Sequence, residues 1–338
     1  MQSISKILIT GASGFIGSFL VERALAEGMD VWAAVRPSSS RRYLADPRIH
    51  FIEIDFGSEK KMMQALAAHV AAHGAWHYVI HAAGATKCRR EADFFKINTE
   101  GTALFAQSLL AAGALTGRFV FISSLSVCGP LCEDSGRPIC AADTPQPNTA
   151  YGRSKLEAEQ RLAQIDGLDY IVLRPTGVYG PREKDYAMMA DSIRRHVDFS
   201  VGFKPQVLTF IYVKDLVAAA FLALTEGTPR RAYFLTDGKE YSSRDFSLLI
   251  QKRLGIRFVV HITAPLCVLW LVSRAAEWIA ARRGTLSTLN SDKYRIMKQR
   301  NWRCDITPAK KELGYRPLYP LDKGVRCTMN WYKDNGWI

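Results

Sequence analysis

The octapeptide Thr10-Gly11-Ala12-Ser13-Gly14-Phe15-Ile16-Gly17 constrains this chain more than any other feature. It joins a short apolar run, Lys6–Thr10 (KILIT), to a helical pattern from Phe15 to Glu27. Glycines at a strand-to-helix turn let backbone N–H groups approach a diphosphate, and the helix N-terminus adds the positive end of its dipole. A glycine triplet alone means little, but inside a strand–turn–helix unit it points to a dinucleotide. The spacing is GxxGxxG, not the more common GxGxxG. The expected cofactor contacts in this turn are Gly11, Ser13, Gly14, Phe15, Ile16 and Gly17.

The pattern then repeats. Strands are expected at Asp30–Val35, Ile49–Ile54, Tyr78–His81, Arg118–Ile122 and Tyr170–Leu173. Helices are expected at Glu59–Ala72, Asp93–Ala112 and Tyr151–Gln164. Short apolar strands alternating with helices predict an α/β fold, with a doubly wound parallel sheet of Rossmann type covered on both faces. Beyond Pro175 the regularity fades, with short strands near Val207–Ile211 and Ala232–Leu235. This predicts a dinucleotide-binding domain over 1–180, segments near 206–226 returning to it, and a smaller, interleaved substrate lobe over most of 181–338.

The end of the second strand separates NAD from NADP, because an acidic residue there binds the ribose 2′-hydroxyl. This chain has Arg36, followed by Pro37-Ser38-Ser39-Ser40-Arg41-Arg42. A guanidinium can stack on adenine and pair with a 2′-phosphate, and serines such as Ser39 can add hydrogen bonds. NADP(H) is therefore favoured, with NAD(H) left open. Asp55 is placed to take the adenine amino group, with Phe56 beside it. Ala82, Ala83 and Gly84 end the fourth strand with the small residues needed where backbone lies against a ribose and diphosphate.

Tyr151-Gly-Arg-Ser-Lys155 opens a helix. Residues i and i+4 share a helical face, so phenol and ammonium point the same way. A free tyrosine is a poor base at neutral pH, and a nearby lysine cation with an oxidised nicotinamide favours its phenolate. Tyr151 could then take a proton from a substrate hydroxyl as hydride leaves the carbon. Ser123-Ser124 follows the fifth strand, and Ser124 is the expected partner for the substrate oxygen, with Ser126 in reserve. Asn98 is expected to fix backbone or a water near Lys155, or only to make a hydrogen bond inside its helix.

Bulk properties narrow the function classes. Hydrophobic residues make up 48% and charged residues 23%, as in ordinary folded domains. The net charge of +13 favours anionic partners, but no basic run with interleaved aromatics marks a nucleic-acid face. Arg194, Arg195, Lys204 and Arg303 are candidate partners for a substrate phosphate. Seven cysteines without a CxxC pair argue for reduced thiols and a cytoplasmic location. A strand pattern by Lys6 leaves no room for a secretory signal. No metal site is expected: His69 and His73 stand four apart without a third ligand and read as an exposed helix face. The apolar stretch Ala264–Val272 is nine residues, too short to span a bilayer. The run around Pro265–Ile279, with Trp270 and Trp278, reads as a substrate lip, a membrane-surface contact or plain helix packing.

Taken together, the sequence resembles the extended short-chain dehydrogenase/reductases, within the NAD-dependent epimerase/dehydratase superfamily. The resemblance rests on TGASGFIG at Thr10–Gly17, HAAG at His81–Gly84, NTEGT from Asn98, SSLSVCG at Ser123–Gly129, YGRSK at Tyr151–Lys155 and LRPTGVYGP at Leu173–Pro181. It continues through FIYVKDL from Phe210 and ELGYRP from Glu312, so it covers nearly the whole chain. It implies a Ser-Tyr-Lys mechanism with Ser124 as the serine. It also implies that Ile122, Pro175 and Val178 flank the cofactor, and that Lys87, Ser126 and Tyr179 meet the substrate. A homodimer through a four-helix bundle that includes the Tyr151 helix is implied too. Nucleotide-sugar 4,6-dehydratases of this group carry an Asp-Glu pair where this chain has Leu125 and Ser126, so that chemistry is not expected. Cys128 stands where the family has tyrosine, and is expected to alter the pocket wall. Arg36 is similar to the dihydroflavonol reductase and 3β-hydroxysteroid dehydrogenase branches, which act on free ketones and alcohols. A nucleotide-sugar epimerase and a cofactor-binding regulator are the competing expectations.

Overall fold

A computed structural model describes residues 4–283, 285, 287 and 289–338. The first half alternates as the sequence dictates: β1 (Lys6–Thr10), α1 (Phe15–Ala26), β2 (Asp30–Val35), β3 (His50–Glu53), α2 (Glu59–His73), β4 (Trp76–His81), α3 (Glu91–Phe94), α4 (Gly101–Ala111), β5 (Leu115–Ile122), α5 (Ala150–Ala163) and β6 (Tyr170–Pro175). The stretch expected as one helix from Asp93 is broken by a wider π-type turn at Phe95–Glu100 between α3 and α4.

The second half is more fragmented. It runs β7 (Gly177–Tyr179), α6 (Lys184–Arg194), β8 (Val197–Val201), β9 (Val207–Leu208), β10 (Phe210–Tyr212), α7 (Val213–Thr225), β11 (Arg231–Leu235), β12 (Tyr241–Ser242), α8 (Asp245–Leu254), β13 (Val260–Ala264), α9 (Leu266–Arg283), α10 (Ser291–Lys298), α11 (Thr307–Glu312) and α12 (Leu321–Asp334). The strand expected at Val207–Ile211 divides at Thr209: β9 pairs with β12 and β10 with β7.

Seven parallel strands form the main sheet in the order β11-β6-β5-β4-β1-β2-β3. Its central strands are apolar in their middles, as burial on both faces requires: Ile7, Leu8, Ile9, Val79, Ile80, Phe119, Val120 and Phe121 have no exposed surface. Two apolar cores result, one on each face. Strand order reverses between β1 and β4, and in such sheets ligands bind beyond the carboxyl ends of the strands at that point. The chain returns to the sheet late, when β11 pairs with β6. Among the described residues, no helix is long and apolar enough to cross a membrane.

Two sequence expectations fail in the core. His69 is not on an exposed face: it is 4% exposed, stacks on Trp76 at 3.8 Å and meets the edge of Trp32 at 4.3 Å. Met62, Leu66 and His69 form the buried stripe of α2, so the imidazole fills an apolar position. Burial holds its pKa down at about 4, which keeps it neutral. Cys128 does not alter a pocket wall; it is buried in the core, and desolvation pushes its thiol up to about 12.

Candidate active site

The turn after β1 is built on close backbone approach. Gly11 has φ +66°, and a Cβ there would lie 2.7 Å from the Ala82 carbonyl and the Ala83 nitrogen. A Cβ on Gly17 would lie 2.6 Å from the Gly11 carbonyl carbon and 2.8 Å from the Ala12 Cα. Only hydrogen fits at either place. The Gly14 amide donates to the Gly11 carbonyl at 2.9 Å, and no side chain caps the N-terminus of α1. The amides of its first turn thus present an anion cradle. Ser13, Phe15 and Ile16 lie in the same turn, half-buried or exposed.

The end of β4 closes the other side. The Ala82 amide donates to the Thr10 carbonyl at 3.3 Å and the Ala83 amide to Thr10 Oγ1 at 3.2 Å. His81 is buried between Thr10 Oγ1 (2.7 Å) and Thr102 Oγ1 (3.0 Å), and desolvation lowers its pKa to about 3. It is a neutral structural bridge. Asn98, in the π-type turn, accepts from the Ala85 amide at 2.7 Å and donates to the Ala85 carbonyl and to Ser154 Oγ, both at 3.0 Å. A Cβ on Gly84 would sit 3.1 Å from Asn98 Oδ1 and 3.7 Å from Lys155 Nζ. Asn98 therefore fixes backbone geometry directly beside Lys155.

The expected adenosine end is looser. Arg36 is exposed just past β2, and its amide donates to Ser39 Oγ at 3.0 Å. Asp55 lies beyond β3 and is occupied with the Gly57 amide (3.0 Å) and Lys61 (3.4 Å). Phe56 packs against His81 and Phe105.

At the centre, Ser124 lies close enough to the Tyr151 phenol to favour its ionised form, and its Oγ accepts from the Ser126 amide at 3.1 Å. Ser123 is turned away and donates to Glu159, which also holds Arg174. The two adjacent serines are thus distinguished by their partners. Thr149 caps α5, accepting from the Gly152 amide at 3.0 Å. A Cβ on Gly152 would meet Thr149 Oγ1 at 2.9 Å and run into the Ser126 carbonyl, so glycine lets α5 lie against the Ser124–Val127 turn. Thr149, Gly152 and Ser154 were not expected in the site, although Gly152 and Ser154 lie in the middle of YGRSK and Thr149 stands at the N-cap position before it. Lys155 Nζ donates to the Ile122 carbonyl at 2.7 Å and lies 4.1 Å from the centre of the Phe121 ring. Burial lowers its pKa to about 7, partly opposed by Glu159. The Tyr151 pKa is raised, because burial outweighs the Ser124 hydrogen bond. The protein alone therefore does not produce the downward shift expected from Lys155.

Ser124 and Ser126 open into a cleft of ≈ 330 Å³, walled by Leu125, Pro175, Phe199, Leu208, Ile296, Met297 and Trp302. No charged side chain is among its described lining residues. No motif announced the contribution from Ile296 to Trp302. Two expected substrate contacts lie elsewhere. Tyr179 is fully buried, edge-on to Phe246 and tight against Gly324, because β7 turns it into the core. Lys87 pairs with Asp185 at 3.0 Å, whose other oxygen holds Lys293. The phosphate candidates are also occupied: Arg194 and Arg195 pair with Asp191, and Arg303 with Glu240. Lys204 is exposed outside the cleft. No group of three or more potential metal ligands occurs among the described residues.

The profile of the NAD dependent epimerase/dehydratase family matches residues 7–235, from the first strand to the last strand of the main sheet. The chain belongs to that family. It is an enzyme family of NAD-dependent oxidoreductases, epimerases and dehydratases within the extended short-chain dehydrogenase/reductases. Similarity extends past the matched segment. The 3-beta-hydroxysteroid dehydrogenase of Mycolicibacterium neoaurum is 25% identical over 98% of this chain and 92% of its own. The dTDP-glucose 4,6-dehydratase of Streptomyces antibioticus is 25% identical over 98% of this chain and 93% of its own. The UDP-glucose 4-epimerase of Thermotoga maritima, solved with UDP-glucose, superimposes with a TM-score of 0.77 at 23% identity, covering 98% of this chain and 99% of that one.

Proposed function

We propose that this member of the family is a net oxidoreductase, interconverting a secondary alcohol and a ketone on an uncharged, largely apolar substrate, with NADP(H) as the preferred cofactor. One observation carries the reading: Ser124, the serine beside Tyr151, opens into a cleft with no charged side chain among its described lining residues. A nucleotide sugar brings a diphosphate that calls for cations, none of the candidate phosphate partners lines this cleft, and Arg194, Arg195 and Arg303 are already paired with carboxylates. Leu125 and Ser126 at the positions of the dehydratase acid–base pair argue against water loss.

The residues present fit the cofactor, since glycines hold the turn tight against the backbone of Ala82 and Ala83 and no side chain caps the first amides of α1, which a diphosphate needs. The amides of the Gly11–Gly17 turn would hold the diphosphate, and Arg36 with Ser39 the 2′-phosphate. Gly84, Asn98, Ile122, Lys155, Pro175 and Val178 would surround the nicotinamide half. When bound, the nicotinamide accepts a hydride from the alcohol carbon, or returns one to the ketone. Ser124 Oγ donates a hydrogen bond to the substrate oxygen. Tyr151 Oη takes the hydroxyl proton during oxidation and gives it back during reduction. Lys155, one turn further along α5 and held by the Ile122 carbonyl, would supply positive charge to the site once the cofactor is in place. Its pKa near 7 leaves that charge sensitive to anything bound next to it.

Incubation with NADP+ or NADPH and a panel of sterol-like alcohols, ketones and nucleotide sugars tests the proposal. Net change in the reduced-nicotinamide absorbance with an apolar substrate supports it. Product formation from a nucleotide sugar without net change would make the chain an epimerase.

A further inference from the structure

The β8–β13 ribbon is built inside out. Its strands are parallel and in register, pairing Val197 with Val260, Phe199 with Ile262, and Val201 with Ala264. Side chains alternate along a strand, so these apolar residues share one face. That face points outward: Phe199 is 60% exposed, and Val260 and Ile262 nearly half. The inward face is polar. Asp198 Oδ2 accepts from Ser247 Oγ and contacts His261 Nδ1, both at 2.9 Å, and Ser200 Oγ lies 2.9 Å from Thr263 Oγ1. A ribbon facing water normally shows the opposite arrangement.

Exposed apolar residues continue along the chain on both sides of the ribbon. Phe203 follows β8 and is 77% exposed. Gly202, beside it, packs against Leu266 at the start of α9. Along α9 only Leu269, Ser273 and Ala280 are buried among the described side chains. Val268, Trp270, Leu271, Val272, Trp278 and Ile279 are all exposed, so plain helix packing does not account for them. Contiguous apolar surface of this kind marks an interaction face.

Charge indicates the occupant. Segments 194–204 and 257–283 contain seven arginines and lysines against two carboxylates, Asp198 and Glu277; of the seven, Arg194 and Arg195 pair with Asp191 just outside these segments and Arg274 with Glu277. Asp198 is turned inward, and Glu277 is held by Ser291. Lys204, Arg257 and Arg283 are exposed and make no ion pair among the described residues. Arg282 lies over the Trp278 ring at 4.0 Å. Apolar and indole side chains rimmed by free cations suit the headgroup region of an anionic bilayer. Phe199 and Val201 belong both to this face and to the wall of the Ser124 cleft.

We infer that the β8–β13 ribbon and α9 dock this enzyme on an anionic lipid bilayer, with the mouth of its cleft against the membrane surface. The face engages the interface without crossing it.

Co-sedimentation of the full chain with vesicles of phosphatidylcholine containing roughly one-third phosphatidylglycerol tests this. Binding is expected, weakened by salt, with a blue shift of tryptophan emission from Trp270 and Trp278. The combined variant Phe203→Ser/Leu271→Ser should lower partitioning by about a hundredfold and leave NADPH affinity unchanged. Absence of binding to these vesicles would overturn the inference. So would a concentration-dependent dimer that the same variant abolishes, because a second copy would then cover the face. Vesicle binding needs no turnover, so its failure is separable from failure of the redox assay.

Discussion

Gly17→Ala gives a quantitative handle on the cofactor cradle. The added methyl would lie 2.6 Å from the Gly11 carbonyl carbon and 2.8 Å from the Ala12 Cα, and both are backbone atoms. Carbon atoms settle at about 3.5–4.0 Å, so the turn and α1 must separate by about 1 Å. Overpacking of this kind costs about 1–3 kcal/mol of stability, which lowers the melting midpoint by several degrees. The same displacement moves the amides aimed at the diphosphate. Weakening two such charge-assisted bonds by about 1 kcal/mol each raises Kd about thirtyfold. Fluorescence titration with NADPH and NADH, beside a thermal melt, reads both effects. Gly14→Ala is the internal comparison, because its Cβ meets only the Gly11 carbonyl oxygen, at 3.1 Å, and its effect should be the smaller. Wild-type cofactor affinity in Gly17→Ala would refute the assignment of this turn as the diphosphate cradle.

Other perturbations follow from the same geometry. Arg36→Ala should raise the Kd for NADPH at least about tenfold and leave that for NADH nearly unchanged, as a paired titration would show. Glu159→Gln leaves Arg174 buried without its carboxylate and should cost about 3–5 kcal/mol in denaturant unfolding. His81 and His69 are held neutral by burial, with pKa values of about 3 and about 4 against 6.5 unfolded. Their contribution to stability is complete above pH 6.5 and is lost as pH falls toward those values. The melting midpoint should therefore drop steeply between pH 6.5 and 4.

The sheet and the glycine turn were legible because their signals are local. Ile7–Ile9 and Val31–Val35 are unbroken apolar runs, as doubly covered strands must be, and Gly11 and Gly17 stand where a backbone approach excludes any Cβ. Tyr151, Lys155 and Ser124 were legible as a motif, but the Glu159–Ser123 contact that separates the two serines depends on tertiary packing. Tyr179 was misplaced because its position near a motif says nothing about which way β7 turns it. His69 was misread as a surface residue, although Met62, Leu66 and His69 share the spacing of a buried stripe. The β8–β13 ribbon could not be read from alternation, which fixes that Val197, Phe199 and Val201 share a face but not whether that face meets the core or the outside. The far wall of the cleft, from Ile296 to Trp302, comes from a distant segment with no motif of its own.

The central claim is that Tyr151 moves a proton to or from a substrate oxygen while hydride moves to or from the adjacent carbon. It is tested most directly by comparing Tyr151→Phe with the wild-type chain in the nicotinamide absorbance assay, using whichever alcohol or ketone supports turnover. The account predicts that kcat for net cofactor redox falls by at least about a hundredfold, with NADPH affinity retained. Turnover undiminished in Tyr151→Phe would contradict it.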